Sequence, residues 1–166
     1  MRQIVLALAL FLTTAAFGQE QRKAEGEAGV DDFNTLLEKV MPITLGLLEK
    51  NKEFFPFGAT IAGDGKTAIA NGWTGKEQPP SSEVIAVLKA AFKDGARKRE
   101  LRATALVVDV RVIPPGKKEK QDAIQLDLDK EGDSKRVFYP YSFSKKGELQ
   151  LEDPFVVLGN SEIFGK

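Results

Sequence analysis

Histidine and cysteine are both absent from the 166 residues of this chain. Without histidine there is no general base that titrates near neutrality, no Ser–His or Cys–His nucleophile pair, and no His-ligated zinc site. Without cysteine there is no disulfide, so the domain relies on packing alone, and no lipid-bearing thiol follows its N-terminal apolar run. Net charge is missing too, with 24 Lys and Arg against 24 Asp and Glu. A chain with no field of one sign does not hold nucleic acid or anionic lipid by counterion release. The basic stretches ARKRELR (residues 96–102) and GKKEK (116–120) lack interleaved aromatics and read as solvated loops, so no nucleic-acid partner is expected.

The N-terminus, MRQIVLALALFLTTAAFGQE, has the layout of a secretory signal peptide. Arg2 forms the positive region, Ile4 to Leu12 is an unbroken apolar run, and Ala16 and Gly18 suit the positions flanking a cleavage site. The apolar run is shorter than the ~20 residues that span a bilayer. The expectation is a signal peptide over residues 1–18, cut after Gly18, leaving no membrane anchor and placing the protein in the periplasm or outside the cell. Residues 19–30 are polar, small and charged and read as a flexible leader. Residues 31–166 then suit a single α+β domain with a core of its own.

Asp31 and Asp32 suit a helix N-terminus. Phe33, Leu36, Leu37, Val40, Met41, Thr44, Leu47 and Leu48 follow at helical spacing, with Pro42 inside the stripe expected to kink or split the helix. FFPFGATIAGDGKTAIANG reads as a β-hairpin turning at Asp64-Gly65. Gly63-Asp64-Gly65-Lys66-Thr67 imitates the end of a phosphate-binding loop, but Thr60 stands where its first glycine belongs and a strand follows. After a loop, NGWTGKEQPP, the run Pro79-Pro80-Ser81-Ser82 starts a second helix carrying Val84, Val87, Leu88, Ala91 and Phe92, with Gly95 as its stop.

The last third reads as a β-meander. Leu106, Val108, Val110 and Val112 share a face of one strand, and Ile124, Leu126 and Leu128 share a face of the next. Folding at PPGKKEK sets Val110 opposite Ile124, Val108 opposite Leu126 and Leu106 opposite Leu128. Folding again at KEGDS sets Leu126 opposite Tyr139 and Ile124 opposite Tyr141, so three strands agree on one buried face. In this register Asp127 and Asp129 stay in water, and Asp129 meets Arg136 in a surface ion pair. The acidic run LDLDKEGDS imitates a calcium loop, but Phe138 occupies the twelfth position and both flanks are strands. It reads as a hairpin turn, and neither metal nor other cofactor is expected.

The order helix, two strands, helix, three strands predicts one antiparallel sheet of about five strands with both helices on its apolar face. That order, over residues 31 to about 150, resembles the profilin-like arrangement of roadblock-type and PAS-like sensor domains. The signals FFPFGATIAGDGK, RATALVVDVRV, DAIQLDLD and VFYPY resemble a group of uncharacterised small bacterial proteins. That group has no established activity, so the resemblance implies no catalytic residues. Many of its members look cytoplasmic, and the signal peptide departs from this.

Among the residues that could carry function, Asp109 and Arg111 interrupt an apolar strand. The expected register places Asp109 beside Gln125 and near Asp127, either a solvated polar face or an acid–base pair of carboxylates. Ser142 and Lys145 have Ser-x-x-Lys spacing but lie where a strand enters a turn. Trp73, the lone tryptophan, is either a contact anchor on its loop or a cap on the core edge. Phe54, Phe55 and Phe57 are expected in the core, with at most one left over. The tail LEDPFVVLGNSEIFGK is too apolar to be left in water. It is expected to fold back onto the body, covering a sheet edge or the end of the helix layer, with a partner interface as the alternative. These readings converge on an exported, non-catalytic protein that binds a protein or small ligand through a sheet face or loops, with no catalytic residue assigned. A carboxylate hydrolase using Asp109 and Asp127, or an assembly module forming a homodimer, are the alternatives.

Overall fold

The structure is a computed structural model that describes residues 17–165. Residues 1–16, most of the expected signal peptide, lie outside the described residues. The chain divides into two compact units, one ending at Asp31 and the other running Asp32–Lys166. The helix α1 spans Phe17–Asn51. Its backbone is already helical through residues 19–30, where a flexible leader was expected, and it does not start at Asp31-Asp32. The Gln, Glu, Lys, Arg and Ala of that stretch are good helix formers and outweigh its two glycines. Pro42 does not split the helix, which continues to Asn51. Asp32 is not a cap: it is buried and accepts a 2.6 Å hydrogen bond from Arg102 Nη2.

In the Asp32–Lys166 unit the elements that follow α1 are β1 (Phe57–Ala62), β2 (Thr67–Asn71), α2 (Ser81–Arg97), β3 (Leu101–Val112), β4 (Gln121–Lys130), β5 (Asp133–Phe143), β6 (Leu149–Leu151) and β7 (Phe155–Leu158). They form an α+β domain with one antiparallel sheet of seven strands, ordered β2-β1-β3-β4-β5-β6, with β7 beside β6 on β5. The two strands beyond the expected five come from the tail. It folds back and pairs with β5 at Tyr141–Phe143 and Lys135–Phe138.

The helices lie on opposite faces of the sheet, not on one. Phe33, Leu36, Val40 and Leu48 of α1 pack with Ala103, Ala105, Val107, Ile124, Leu126 and Leu128. Val84, Leu88 and Phe92 of α2 pack with Leu106 and Val108 on the other side. The cause is β3, in which every residue from Ala103 to Val108 is buried. Two-sided burial also corrects the meander. Val107, not Val108, stands opposite Leu126, and Ala105, not Leu106, opposite Leu128, a slip of one residue. Leu126 meets Val137 and Ile124 meets Tyr139, a shift of two, because the turn is Glu131-Gly132 and Gly132 supplies the positive φ (+76°). Asp127 therefore lies opposite Leu106 on the α2 side, and Asp129 is buried there. Arg136 pairs with Asp127, not with Asp129.

Helix α2 does not stop at Gly95 but runs to Arg97. Gly95 is instead the point where Leu101 of β3 presses on the helix, since a Cβ there would stand 2.7 Å from Leu101 Cδ1. The tightest helix–sheet approach is at Gly58 of β1. A Cβ at that position would lie 2.6 Å from Phe92 Cζ and 2.7 Å from the carbonyl oxygen of Ala105. The neighbouring backbone cannot yield as a side chain would. Gly58→Ala is expected to destabilise the protein by ~1–3 kcal/mol, the usual cost of overpacking. A lower urea midpoint at unchanged slope would show it; an unchanged midpoint would refute the close packing of α2 on β1.

Candidate functional site

The residues singled out by sequence do not come together. Asp109 stands opposite Ile124 on the α1 side of the sheet, whereas Gln125 and Asp127 face the α2 side. The carboxylate pair that a hydrolase would need is thus divided by the sheet itself. Arg111 is exposed and pairs with Asp122 at 3.1 Å. Asp127 is held from two directions: Gln125 Nε2 donates to both its oxygens at 3.2 and 3.1 Å, and Arg136 grips it in a bidentate pair. With its lone pairs taken, this carboxylate is positioned as a structural acceptor.

Asp109 lies in a different setting, under the end of α1. The Tyr141 hydroxyl donates to its Oδ1 at 2.9 Å, and Tyr141 itself is buried. Burial pushes the Asp109 pKa up, Asp122 and Glu53 push it the same way, and the bonds from Tyr141 and the Phe54 backbone partly oppose this. Burial first, and the bond to Asp109 second, raise the Tyr141 phenol. Asp129, buried beneath the tail, is also raised by desolvation, against hydrogen bonds from the backbone of Ile163, Phe164 and Glu162. Its Oδ2 accepts the Ile163 N–H at 3.0 Å. The cavity beside it, about 30 Å³, is bounded by Lys89, Phe92, Thr104 and Arg136 and has room for little beyond ordered water.

A cavity with room for a ligand lies elsewhere, and of its lining the sequence had singled out Trp73 and the FFPF phenylalanines. A groove of about 720 Å³ runs between the end of α1, the β1–β2 hairpin and the loop after β2. It is lined by Ile43 and Leu47 of α1, by Phe55 and Pro56 ahead of β1 and by Ile69 of β2. Trp73 and Pro79 of the loop line it as well. Phe54 and Phe57 are buried as expected, and the left-over phenylalanine is Phe55, 57% exposed. Trp73 is 73% exposed, so it is no cap on the core edge. The signal that pointed here was the run FFPF: three aromatics around a proline cannot all reach one core, and the middle one is turned out. Lys76, among the lining residues, is already bonded to Glu83 at 2.9 and 2.8 Å, while Glu53 and Glu77 also border the groove.

Asp109 provides a titration test of the α1 side. Its folded pKa is raised, so its contribution to stability is greatest below the ordinary value near 3.8 and is lost as pH rises through the folded value. Asp109→Asn, which keeps an acceptor but never ionises, is expected to be more stable than the parent at neutral pH. The gap should close as the pH falls toward 3.8. Urea midpoints of both proteins from pH 7 to pH 3.5 measure this, and a gap that is constant or widens on acidification would refute the buried setting of Asp109.

Comparison of the chain with protein-family models, with curated proteins and with solved structures gives no match.

Proposed function

We propose that this is an exported, non-catalytic binding protein whose ligand is a small, neutral, apolar molecule held in the groove between α1 and the Trp73 loop. The groove is the observation that carries this reading. Its volume of about 720 Å³ falls in the ~300–1,000 Å³ range of small-molecule sites, and its walls are aromatic and aliphatic. Phe55 and Trp73 stand unburied at its rim, where a ligand that covered them would remove apolar area from water at ~25 cal/mol per Å². The acidic Glu53 and Glu77 disfavour an anion, and the pairing of Lys76 with Glu83 removes its charge as an anchor.

Trp73 is the chain's single tryptophan, so its emission reports on the groove alone. Titration with the neutral apolar probe N-phenyl-1-naphthylamine is expected to quench Trp73 and sensitise the probe in a saturable way. Phe55→Ala should weaken that binding by roughly tenfold, the ~1.4 kcal/mol scale of an exposed aromatic contact, with the fold unchanged by circular dichroism. Absence of saturable transfer, or equal affinity in Phe55→Ala, would sink the proposal.

Export rests on the N-terminal pattern of Arg2, the Ile4–Leu12 run and the small residues at Ala16 and Gly18. N-terminal sequencing of protein recovered from its source cells is expected to give a mature chain beginning at Gln19. A chain beginning at Met1 in the cytoplasm would overturn this part.

A further inference from the structure

The sheet has two outer edges among the described residues, β2 on one side and β6 with β7 on the other. Natural edge strands are usually blunted by charge, proline or a covering element, because their unpaired N–H and C=O groups otherwise recruit another strand. The β2 edge is made of Thr67, Ala68, Ile69, Ala70 and Asn71, small or polar apart from Ile69, which is partly buried. The β7 edge is Phe155-Val156-Val157-Leu158, with no charge and no proline inside it. Leu158 is 91% exposed, and Val156 and Val157 are exposed as well.

The hydrogen-bond phase of β7 can be read from its end. The Gly159 N–H donates to Ser134 O at 3.1 Å, so 159 and 134 form a bonded pair of the β5–β7 ladder. Bonded pairs recur every second residue in an antiparallel ladder, which gives Val157 with Arg136 and Phe155 with Phe138. Val156 and Leu158 are the alternate residues, and they turn their backbone N–H and C=O away from β5.

We propose that β7 is where two copies of this chain associate, pairing antiparallel across a two-fold axis at Val157. Val156 of each copy then lies opposite Leu158 of the other, and these two bonded pairs use all four outward groups of each strand. On one side of the joined sheet valine meets leucine, and on the other Val157 meets its own counterpart. The neighbouring registers fail. An axis at Val156 sets Leu158 against Pro154, which has no N–H. An axis at Leu158 sets Val156 against Asn160, beyond the end of the strand. The pairing is isologous and closes at two copies, whereas β7 against β2 would repeat without end. Four residues a side bury less than the ~800 Å² per partner of a standard interface, so the dimer forms reversibly and its population depends on concentration. This association is independent of the groove, at the far edge of the sheet.

Sedimentation equilibrium of the mature chain from Gln19 to Lys166 tests it. The expected mass rises with concentration from that of the monomer toward twice that value and no further. Val157→Lys and Val157→Glu are each expected to remain monomeric over the same range, because like charges would face each other across the axis at a Cα separation of ~4.5 Å. An equimolar mixture of the two variants should regain association. A parent protein that stays monomeric up to its solubility limit overturns the proposal. So do variants that associate like the parent, a mixture that does not, or growth beyond two copies.

Discussion

Everything in the Asp32–Lys166 unit depends on β3 having no solvent side. Its residues Ala103, Ala105 and Val107 go to α1, and Thr104, Leu106 and Val108 to α2. A strand buried on both sides reads as a near-continuous apolar run, the habit of central strands in sheets covered twice. Small residues at 103 and 105 let α1 approach on one side, and Gly58 of the neighbouring strand lets α2 approach on the other. The layering of the molecule is therefore set where β1 and β3 meet, and the remaining strands extend a sheet already fixed in register.

The same constraint explains the polar groups on the α2 side. Helix α2 covers β1 and β3, and beyond it β4 and β5 present Gln125, Asp127, Asp129 and Arg136 to a region only partly covered. Burying an unpaired carboxylate costs several kcal/mol, so these groups persist through the partners they find, with Asp129 Oδ1 the atom left without one among the described residues. Asp127 is gripped by Arg136 and Gln125. Asp129 receives the tail, whose Ile163 also joins the α2 core, while Ser134 Oγ accepts the Ser161 N–H at 2.9 Å and the Lys89–Glu162 pair at 2.6 Å ties the tail to α2. The C-terminal segment thus does for the outer strands what α2 does for the inner ones.

The α+β class, the hairpin at Asp64-Gly65, both helices and the fold-back of the tail were legible because each is written in local pattern: a 3.6-residue stripe, a turn dipeptide, an apolar run that water would not tolerate. The register of the meander was not. Alternation chooses a register only if one face is polar, and in LRATALVVDV both faces are apolar, so Leu106 and Val107 compete equally for Leu126 and Leu128. Burial of both faces of β3 fixed its pairing with β4, while Gly132 in the β4–β5 turn fixed the pairing of β5, where turn geometry outranks pattern. The separation of Asp109 from Asp127 followed from that single-residue slip. Trp73 was legible as a loop aromatic, but the groove it borders was not. Ile43, Phe55 and Pro79 belong to three separate elements, and no local signal records their convergence.

The position of β3 within the chain also sets an order on folding. β1 is buried by β3 and by both helices, yet the hairpin and both helices are complete before β3 begins at Leu101. Until that strand arrives, the apolar stripe of α1 has only a two-stranded hairpin to cover it, and such a hairpin is marginal by itself. The β3–β4–β5 meander, in contrast, closes through turns near in sequence and can form its pairings early at low entropic cost. By sequence separation alone, the C-terminal half forms its pairings first and the N-terminal half docks on it, the reverse of the order in which a ribosome delivers them.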